Sequence, residues 1–221
     1  MKKLIFLVLS FIFSFSSCKK SDTTLGPNEL DGDINVTFAQ VGNTFTPYII
    51  GSDGSEININ PAITITSNSS GVATISLKAD LTQSPELKQI NDLIPAIYKD
   101  NQGKLNATGN VKITTNGILD YTNKDKSPFM LVKYDCNVGD TYKLTKSDGT
   151  TITRTVTQKS TDDDFYYGGM LIKTMTVEQD SRIPGIKKII YKVNHKFGLV
   201  HLTAIAEDGS SIGGYLYPAN Y

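Results

Sequence analysis

Few residues in this chain have the types and spacing that catalysis needs. Its two histidines, His195 and His201, lie six positions apart across a predicted turn, and no third metal ligand stands at a set spacing from them. The sequence has no Gly-x-Ser-x-Gly element and no glycine-rich phosphate loop, and no nucleophile has an obvious base beside it. We therefore expect no catalytic residues, no metal site and no cofactor, and an activity that is not enzymatic.

Carboxylates are the other groups that could do chemistry. Asp162-Asp163-Asp164 offers oxygen ligands to calcium, but it lacks the alternate-position ligands and the glycine of an EF-type loop. We interpret it as a solvated turn. A glycan hydrolase needs only two carboxylates at a set separation, so that class stays open as an alternative. The complete absence of tryptophan speaks against sugar stacking.

Arg154 has the most unusual position of the charged residues. In the predicted strand around it, threonines occupy one face, whereas Ile152, Arg154 and Val156 share the other. A guanidinium on an apolar face must be paired with a protein carboxylate, reach the sheet edge, or meet an anionic ligand. Arginine matches the geometry of carboxylate and phosphate groups. Arg154 is therefore the candidate ligand-binding residue, with an internal ion pair as the alternative.

The elements that must position these residues are mostly β-strands. Apolar and polar residues alternate in residues 72–79 and again in residues 105–113, as in strands with one buried face. We expect Ala73, Ile75 and Leu77 of the first run to point into the protein.

Turn residues separate the predicted strands. Asn116-Gly117 directly follows an alternating run and predicts a hairpin turn in which both residues have positive φ. Asp-Gly pairs mark further turns at residues 53–54, 148–149 and 208–209. These signals predict a mainly β fold, an antiparallel meander of about ten to twelve strands that forms a curved sheet or a partly open barrel.

One segment departs from the β pattern. Ser84-Pro85-Glu86 combines a hydroxyl cap, a first-turn proline and an early acidic residue, which is typical of a helix start. Apolar residues then repeat at helical spacing at Leu87, Ile90, Ile94 and Ile97. The pattern predicts a short amphipathic helix over about residues 85–98 that covers the sheet, with Pro95 bending or ending it.

Two stretches of the chain are similar to each other. Val41-Gly42-Asn43-Thr44-Phe45 and Val138-Gly139-Asp140-Thr141-Tyr142 each begin a predicted strand that ends at an Asp-Gly turn. The similarity points to two related halves, residues 34–121 and 129–221, within a β-rich domain of residues 34–221. Chance reuse of the same turn residues is the alternative.

The N-terminal segment predicts export. Met1-Lys2-Lys3 precedes an apolar run and the small residues Ser16-Ser17, directly before Cys18. The apolar run is about ten residues long, shorter than the ~20 that span a bilayer, so it predicts a signal peptide of residues 1–17 and not a membrane helix. The polar and glycine-containing residues that follow, through residue 33, predict a flexible tether.

The segment around Cys18 resembles the signal of bacterial lipoproteins, and Cys18-Lys19-Lys20 is similar to the mature start of lipoproteins from the Bacteroidota. Val138–Tyr142 and His195–Val200 resemble elements of uncharacterised secreted lipoproteins of that group. The resemblance implies that Cys18 is acylated, for example with palmitate, and that residues 18–33 link this anchor to the domain. It places the protein in the cell envelope, at the outer membrane, on either its periplasmic or its surface face.

Composition limits the partners. The formal net charge is zero, which argues against nucleic acid as a partner. Cys136 is the only cysteine besides Cys18, so no disulfide within the mature domain is expected, and we interpret Cys136 as a packed side chain. The membrane, through acylated Cys18, and a lipid-like small molecule are the expected partners, and no protein partner can be named.

Three functions follow as hypotheses. The first is a non-enzymatic module that binds an apolar or lipid-like ligand inside the curved sheet, which a continuous apolar cavity would favour. The second is an envelope interaction or scaffold protein without a small-molecule site, which a filled core and a large exposed apolar patch would favour. The third is a glycan hydrolase, which two carboxylates about 5–9 Å apart in a cleft would favour.

Overall fold

The structure of the protein, a computed structural model, describes residues 25–51, 53–57, 62–83, 87–88, 91–92, 94–181 and 184–219. Cys18 and the predicted signal peptide of residues 1–17 lie outside the described residues. Within the described ranges we find no helix with the length and apolar character needed to traverse a membrane.

Strands make up most of the described chain. They are β1 Thr44–Ile50, β2 Glu56–Ile57, β3 Ala62–Ser69, β4 Val72–Ala79, β5 Leu105–Thr114, β6 Gly117–Asp120, β7 Phe129–Lys133, β8 Thr141–Thr145, β9 Thr151–Lys159, β10 Phe165–Tyr167, β11 Met170–Ile172, β12 Met175–Asp180, β13 Ile186–Asn194, β14 Gly198–Ala206 and β15 Ser211–Pro218.

Thirteen of these strands form one antiparallel sheet. Its order is β7-β6-β5-β4-β3-β1-β15-β14-β13-β12-β9-β8, with β2 paired to β1 beside this path. The sheet curves into a nearly closed barrel with one seam, between β7 and β8. β10 and β11 form a separate hairpin. The predicted mainly β fold, an antiparallel sheet curved into a partly open barrel, is confirmed.

Alternation along the strands separates the inner surface of the barrel from the outer one. In β4, Ala73 is fully buried, and Ile75 and Leu77 line an interior cavity. All three residues therefore point inward, as predicted. Ile75 stands directly opposite Ile65 of β3, so the two side chains share the inner face.

The barrel is packed at one end, which we call the closed end. A cluster of buried side chains fills it, including Ile118, Phe129, Val132, Tyr142, Val156 and Val177. Phe38, in the short 3₁₀ helix Thr37–Ala39, belongs to the same cluster. Gly198 permits this approach, because it has a φ of +71° and a Cβ atom there would lie 2.4 Å from the Phe38 ring.

The turn predicted at Asn116-Gly117 lies one residue earlier. The two turn residues are Thr115 and Asn116, and Gly117 is already the first residue of β6. Glycine is needed there for a different reason, since a Cβ atom on Gly117 would lie 2.3 Å from the carbonyl oxygen of Val132. Among the described hairpins, Ser70-Gly71 (51° and 81°) and Gly168-Gly169 (55° and 89°) are turns with positive φ at both residues.

The segment predicted as a helix over about residues 85–98 is described only in part. Helical backbone occurs at residues 87–88 and 91–92, and the described chain has no helix of seven or more residues. The starting residues 84–86, and Ile90, lie outside the described residues. After Pro95 the chain forms a separate 3₁₀ turn, Ala96–Tyr98, because proline lacks the N–H that would continue an α-helix.

The side chains of this segment follow the predicted apolar stripe only up to the proline. Leu87 is buried against Ala79 and Leu81, and Ile94 packs on the same cluster. Ile97 is 81% exposed, so its predicted place on the stripe is wrong. The turn after Pro95 changes the direction in which Ile97 points.

Part of the predicted tether is packed against the barrel. Leu30 is buried in the closed-end cluster. The Asn116 side chain donates a hydrogen bond to Asp31, and the Asp33 backbone N–H donates to the Thr115 hydroxyl. Leu30, Asp31 and Asp33 are therefore held by contacts with the fold. Residues 18–24 lie outside the described residues, and the tether of residues 18–33 as a whole stays a prediction.

The two similar stretches share one local structure. The Gly42 N–H donates to the carbonyl of Ile65, whose N–H donates to the carbonyl of Asn43, both at 2.9 Å. Gly139, Val156 and Asp140 repeat this pattern at 2.8 and 2.9 Å. The strands of both halves belong to one sheet, and the duplication of whole halves stays a prediction.

The stability of the inner face can be tested at Ile65. This side chain is 1% exposed, so Ile65→Ala should lower the free energy of unfolding by about 2–5 kcal/mol, the range for large-to-small changes in a packed core. Ile75→Ala should cost less, because Ile75 borders a cavity, and Thr74→Ala should cost least. Urea denaturation measures the order, and a larger loss for Thr74→Ala than for Ile65→Ala would contradict the strand register.

Candidate functional site

The half of the barrel opposite the closed end is hollow. It contains an open-mouthed cavity of about 1900 Å³. Its wall is mainly apolar and includes Ile75, Leu77, Ala107, Val111, Leu202 and Ala204. Sites for drug-sized ligands enclose roughly 300–1,000 Å³, so this cavity has room for a larger molecule.

Residue size explains why one half is filled and the other is hollow. The inward positions of the cavity half include Ala107 of β5 and Ala204 and Ala206 of β14. At the closed end the inward positions carry larger side chains, such as Phe129 and Tyr142. Small side chains on the walls leave the space between opposite strands empty, because the sheet fixes the barrel width.

The mouth of the cavity carries charges of opposite sign on its two sides. Lys124 and Lys146 line it beside the seam. Asp53, Glu56, Glu207 and Asp208 line it at the β1-β2 and β14-β15 turns. Hydroxyl and backbone hydrogen bonds from Ser55 and Ser210 lower the pKa of Asp53 and of Asp208, respectively, so both carboxylates stay ionised.

The described residues form no backbone ladder between β7 and β8. Hydrogen bonds that involve side chains join the two strands across the seam instead. The Asn28 amide nitrogen donates to the Lys143 carbonyl of β8 at 3.1 Å, and its oxygen accepts from the Met130 N–H of β7 at 3.0 Å. The Tyr142 hydroxyl accepts from the Lys133 N–H at 3.2 Å. Burial raises the pKa of Tyr142 to about 12, which keeps this phenol neutral.

At the mouth, polar contacts join the loops on the two sides of the seam. Asp125, in the β6-β7 loop, accepts hydrogen bonds from the Ser147 N–H and hydroxyl, both at 2.6 Å. Lys124 lies 3.4 Å from Asp148, which follows β8. These contacts fix the two loops against each other, so Lys124 and Lys146 face the same part of the cavity.

Arg154 lies inside the barrel, on the same face as Ile152 and Val156, as the alternation predicts. It is 3% exposed and forms an ion pair with Asp120 of β6. Its Nε donates to Gln179 at 2.8 Å, and its Nη1 donates to the Met130 carbonyl at 3.2 Å. The guanidinium also lies 4.1 Å from the centre of the Phe129 ring.

These contacts give Arg154 a structural role that sequence reasoning kept as the alternative. The ion pair spans the seam from β9 to β6, inside the packed half of the barrel. Arg154 is not among the side chains that line the cavity, whereas its neighbour Ile152 is. Binding of a ligand anion by Arg154 stays a prediction.

The other residues singled out from the sequence are dispersed. His195 is exposed in the β13-β14 turn, and Asp162–Asp164 lie in an exposed loop. Cys136 is buried, and burial raises the pKa of its thiol. Among the described residues, no group of three or more histidine, cysteine or acidic side chains is placed to hold a metal ion.

Strict alternation along the strand would place His201 on the face of Leu199, but His201 lies on the outer surface of the barrel. A register shift in the β13-β14 pairing separates the two residues. Leu199 packs against the closed-end cluster, whereas the His201 ring lies 4.6 Å from that of Tyr215 and 6.2 Å from that of Phe165. Burial and the charge of Lys192 lower the pKa of His201 to about 4.

The lowered pKa predicts a loss of stability in acid. The unfolded chain titrates this histidine near pH 6.5, so between pH 6.5 and 4 it takes up the proton more readily than the folded protein. The free energy of unfolding should therefore fall as the pH falls through this window, with His201 contributing about 1–2 kcal/mol after allowance for partial solvent access. The free energy of unfolding of wild type and of His201→Phe, measured by denaturation at pH 7.5 and 4.5, isolates the contribution of His201. An equal fall in both proteins between the two pH values would contradict the prediction.

Sequence reasoning missed the residues that border the mouth and the partner of Arg154. Asp120 shares a strand face with Ile118, so a carboxylate on an apolar face was the signal for the pair. Lys124 and Lys146 had no signal, since 22 positions and two loops separate them in the chain.

Comparison with known proteins gives two partial structural likenesses. No known protein family matches the chain, and no curated protein matches its sequence. A Bacteroides fragilis protein named as exported and as having a YmcC-like fold is 10% identical, with a TM-score of 0.45 over 80% of this chain and 94% of that one. A hypothetical protein of Chlamydia trachomatis is 11% identical, with a TM-score of 0.25 over 82% and 92%. At these TM-scores neither likeness informs the function.

Proposed function

We propose that this protein is a membrane-anchored binding module that holds an apolar or lipid-like ligand inside its barrel. The observation that supports the proposal is the open cavity of about 1900 Å³ with apolar side chains along its wall. An apolar wall in contact with water is unfavourable by about 25 cal/mol per Å². A hydrocarbon chain in the cavity would remove that contact, and the open mouth gives it a way in.

Saturable binding of a hydrocarbon ligand tests the proposal. The purified domain should bind a fluorescent apolar probe such as anilinonaphthalene sulfonate, and dodecanoate should displace it with a defined stoichiometry. Native mass spectrometry of protein extracted from its own membrane should show an added mass that organic solvent removes. If wild-type protein shows neither saturable displacement nor an added mass, the proposal fails.

The membrane anchor is the second part of the proposal and rests on the sequence around Cys18. Cys18→Ala should move the protein from the membrane to the soluble fraction or leave it unprocessed, because two or more acyl chains hold a protein stably on a bilayer and none remains in the variant. Metabolic labelling with a palmitate analogue should mark wild type alone. Equal labelling of both proteins would rule out an anchor at Cys18.

The position of the first described residues favours one orientation of an anchored protein. Leu25 borders a surface depression together with Thr115 and Lys133, near the closed end. The chain therefore enters the fold away from the cavity mouth. An anchor at Cys18 favours an arrangement in which the mouth points away from the membrane.

A second candidate, an envelope interaction protein, has support from the β10-β11 hairpin. Tyr166 and Leu171 form a cross-strand pair, and they are 64% and 56% exposed. Tyr166→Ser/Leu171→Ser should leave ligand displacement unchanged and should abolish any partner binding that this surface supports.

The third alternative, a glycan hydrolase, gains nothing from Asp53 and Asp208 at the mouth. The hydrogen bonds from Ser55 and Ser210 lower the pKa of Asp53 and of Asp208. The general acid of a glycosidase needs a raised pKa.

A further inference from the structure

We infer that Lys146 and Lys124 form a binding site at the cavity mouth for the anionic head of an amphiphile whose hydrocarbon chain lies in the barrel. This inference rests on the proposed function and adds the chemical class of the ligand. The relevant head is a carboxylate or a phosphate. Both are anions that ammonium groups bind through charge-assisted hydrogen bonds.

Lys146 occupies the position from which such a contact can be made. It follows β8 directly, lines the cavity, and has a side chain that is only 14% exposed. The nearest carboxylate to its ammonium is that of Asp148, at 3.7 Å, which is longer than a hydrogen bond. An ammonium group has three donors, so this lysine has donors left for a ligand.

The nearby carboxylates pair the two ammonium groups only in part, since a single oxygen, Oδ2 of Asp148, lies 3.4 Å from Lys124 and 3.7 Å from Lys146. Oδ1 of Asp148 accepts hydrogen bonds from the Thr150 N–H and hydroxyl at 3.0 and 2.5 Å. Asp125 accepts from the N–H and hydroxyl of Ser147. Neither carboxylate is among the residues that line the cavity, whereas Lys124 and Lys146 both are. A molecule in the cavity therefore borders Lys124 and Lys146 and neither of these two carboxylates.

Acidic residues on the opposite side of the mouth favour the same orientation of the amphiphile. Asp53, Glu56, Glu207 and Asp208 line the mouth there, on strands and turns that the sheet order places far from the seam. An anionic head is repelled from that side and attracted to the seam side. A hydrocarbon chain attached to it then runs along Ile152 toward the apolar wall.

The test compares ligands that differ only in the head. Dodecanoate, dodecyl phosphate, dodecanol and dodecyltrimethylammonium are titrated against wild type, Lys146→Gln, Lys124→Gln, Lys146→Arg and Lys143→Gln at pH 7.5. Lys143 is the matched control, since it belongs to the same hairpin but is exposed on the outer surface. Thermal unfolding of each variant confirms that it is folded.

The expected result is selective. Lys146→Gln should weaken dodecanoate and dodecyl phosphate binding about five- to tenfold and leave dodecanol binding unchanged. Lys124→Gln should weaken both anions less, because its side chain is 63% exposed. Lys146→Arg should retain the affinity, and Lys143→Gln should match wild type. A larger loss for dodecyl phosphate than for dodecanoate would identify phosphate as the preferred head.

Three outcomes would overturn the inference. Equal losses for dodecanol and dodecanoate in Lys146→Gln would show that the lysine only shapes the wall. Unchanged affinity for both anions in that variant, or tighter binding of dodecyltrimethylammonium by wild type, would place the head elsewhere. In these cases the proposed function stands, because the barrel still binds the hydrocarbon part of the ligand. If wild type binds none of the four ligands, the proposed function fails together with this inference.

Discussion

Arg154→Met should lower the free energy of unfolding by about 3–5 kcal/mol, the cost of leaving one member of a buried ion pair without its partner. The Asp120 carboxylate would lose the guanidinium that now faces it inside the barrel. The Met130 carbonyl, at the seam edge of β7, would also lose a donor. Urea denaturation of the two proteins at pH 7.5 measures the difference.

A double variant separates the ion pair from packing. Arg154→Met/Asp120→Leu removes both charges and should be more stable than Arg154→Met alone, because apolar pairs of similar volume replace buried ion pairs at little cost. The recovery should be partial, since the hydrogen bonds of Arg154 to Gln179 and to β7 remain lost. A loss below about 1 kcal/mol in the single variant would show that the pair contributes little to the seam.

This expectation replaces the simpler one that the sequence supports. If the Arg154 guanidinium bound only a ligand anion and no protein group, its removal would not lower the free energy of unfolding to a matching extent. The contacts of Arg154 with Asp120, Gln179 and the Met130 carbonyl make such a loss unavoidable. Any effect of Arg154→Met on ligand binding must therefore be measured at temperatures where the variant is fully folded.

Ala107→Trp/Ala204→Trp should weaken dodecanoate binding about a hundredfold, which corresponds to about 2.7 kcal/mol. The two alanines lie in β5 and β14, and four strands separate these in the sheet, so their side chains project from opposite walls. Two indole rings would occupy the space that the ligand chain needs. Displacement titration of the apolar probe measures the loss.

The natural chain contains no tryptophan, so each introduced indole also reports on its surroundings. Ala204→Trp alone should emit at short wavelength, and its emission should change when a ligand fills the cavity. Asn106→Trp/Lys187→Trp, at exposed positions of β5 and β13, is the matched control and should bind like wild type. Full affinity in the double alanine variant would mean that ligand binds outside the barrel.

How far the sequence predicts this site depends on the range of each signal. The inward direction of Ile75 and of Arg154 follows from alternation, which needs only the residues of a single strand. The same rule fails at His201, because a register shift changes which residues face inward and only pairing with the neighbouring strand reveals it. The helical spacing likewise predicts the wrong direction for the Ile97 side chain, because the chain turns after Pro95.

The sequence by itself determined the strands, the inner position of Arg154 and the segment around Cys18 that resembles a lipoprotein signal. Each of these depends only on residues that lie close together in the chain. Only the tertiary structure decided that Asp120 holds Arg154, that Asn28 bridges the seam, and that two distant lysines meet at one mouth. It also decided which half of the barrel is hollow. The physical reason is that contacts across a closed sheet depend on strand order and register, and cavities depend on the sizes of side chains from opposite walls.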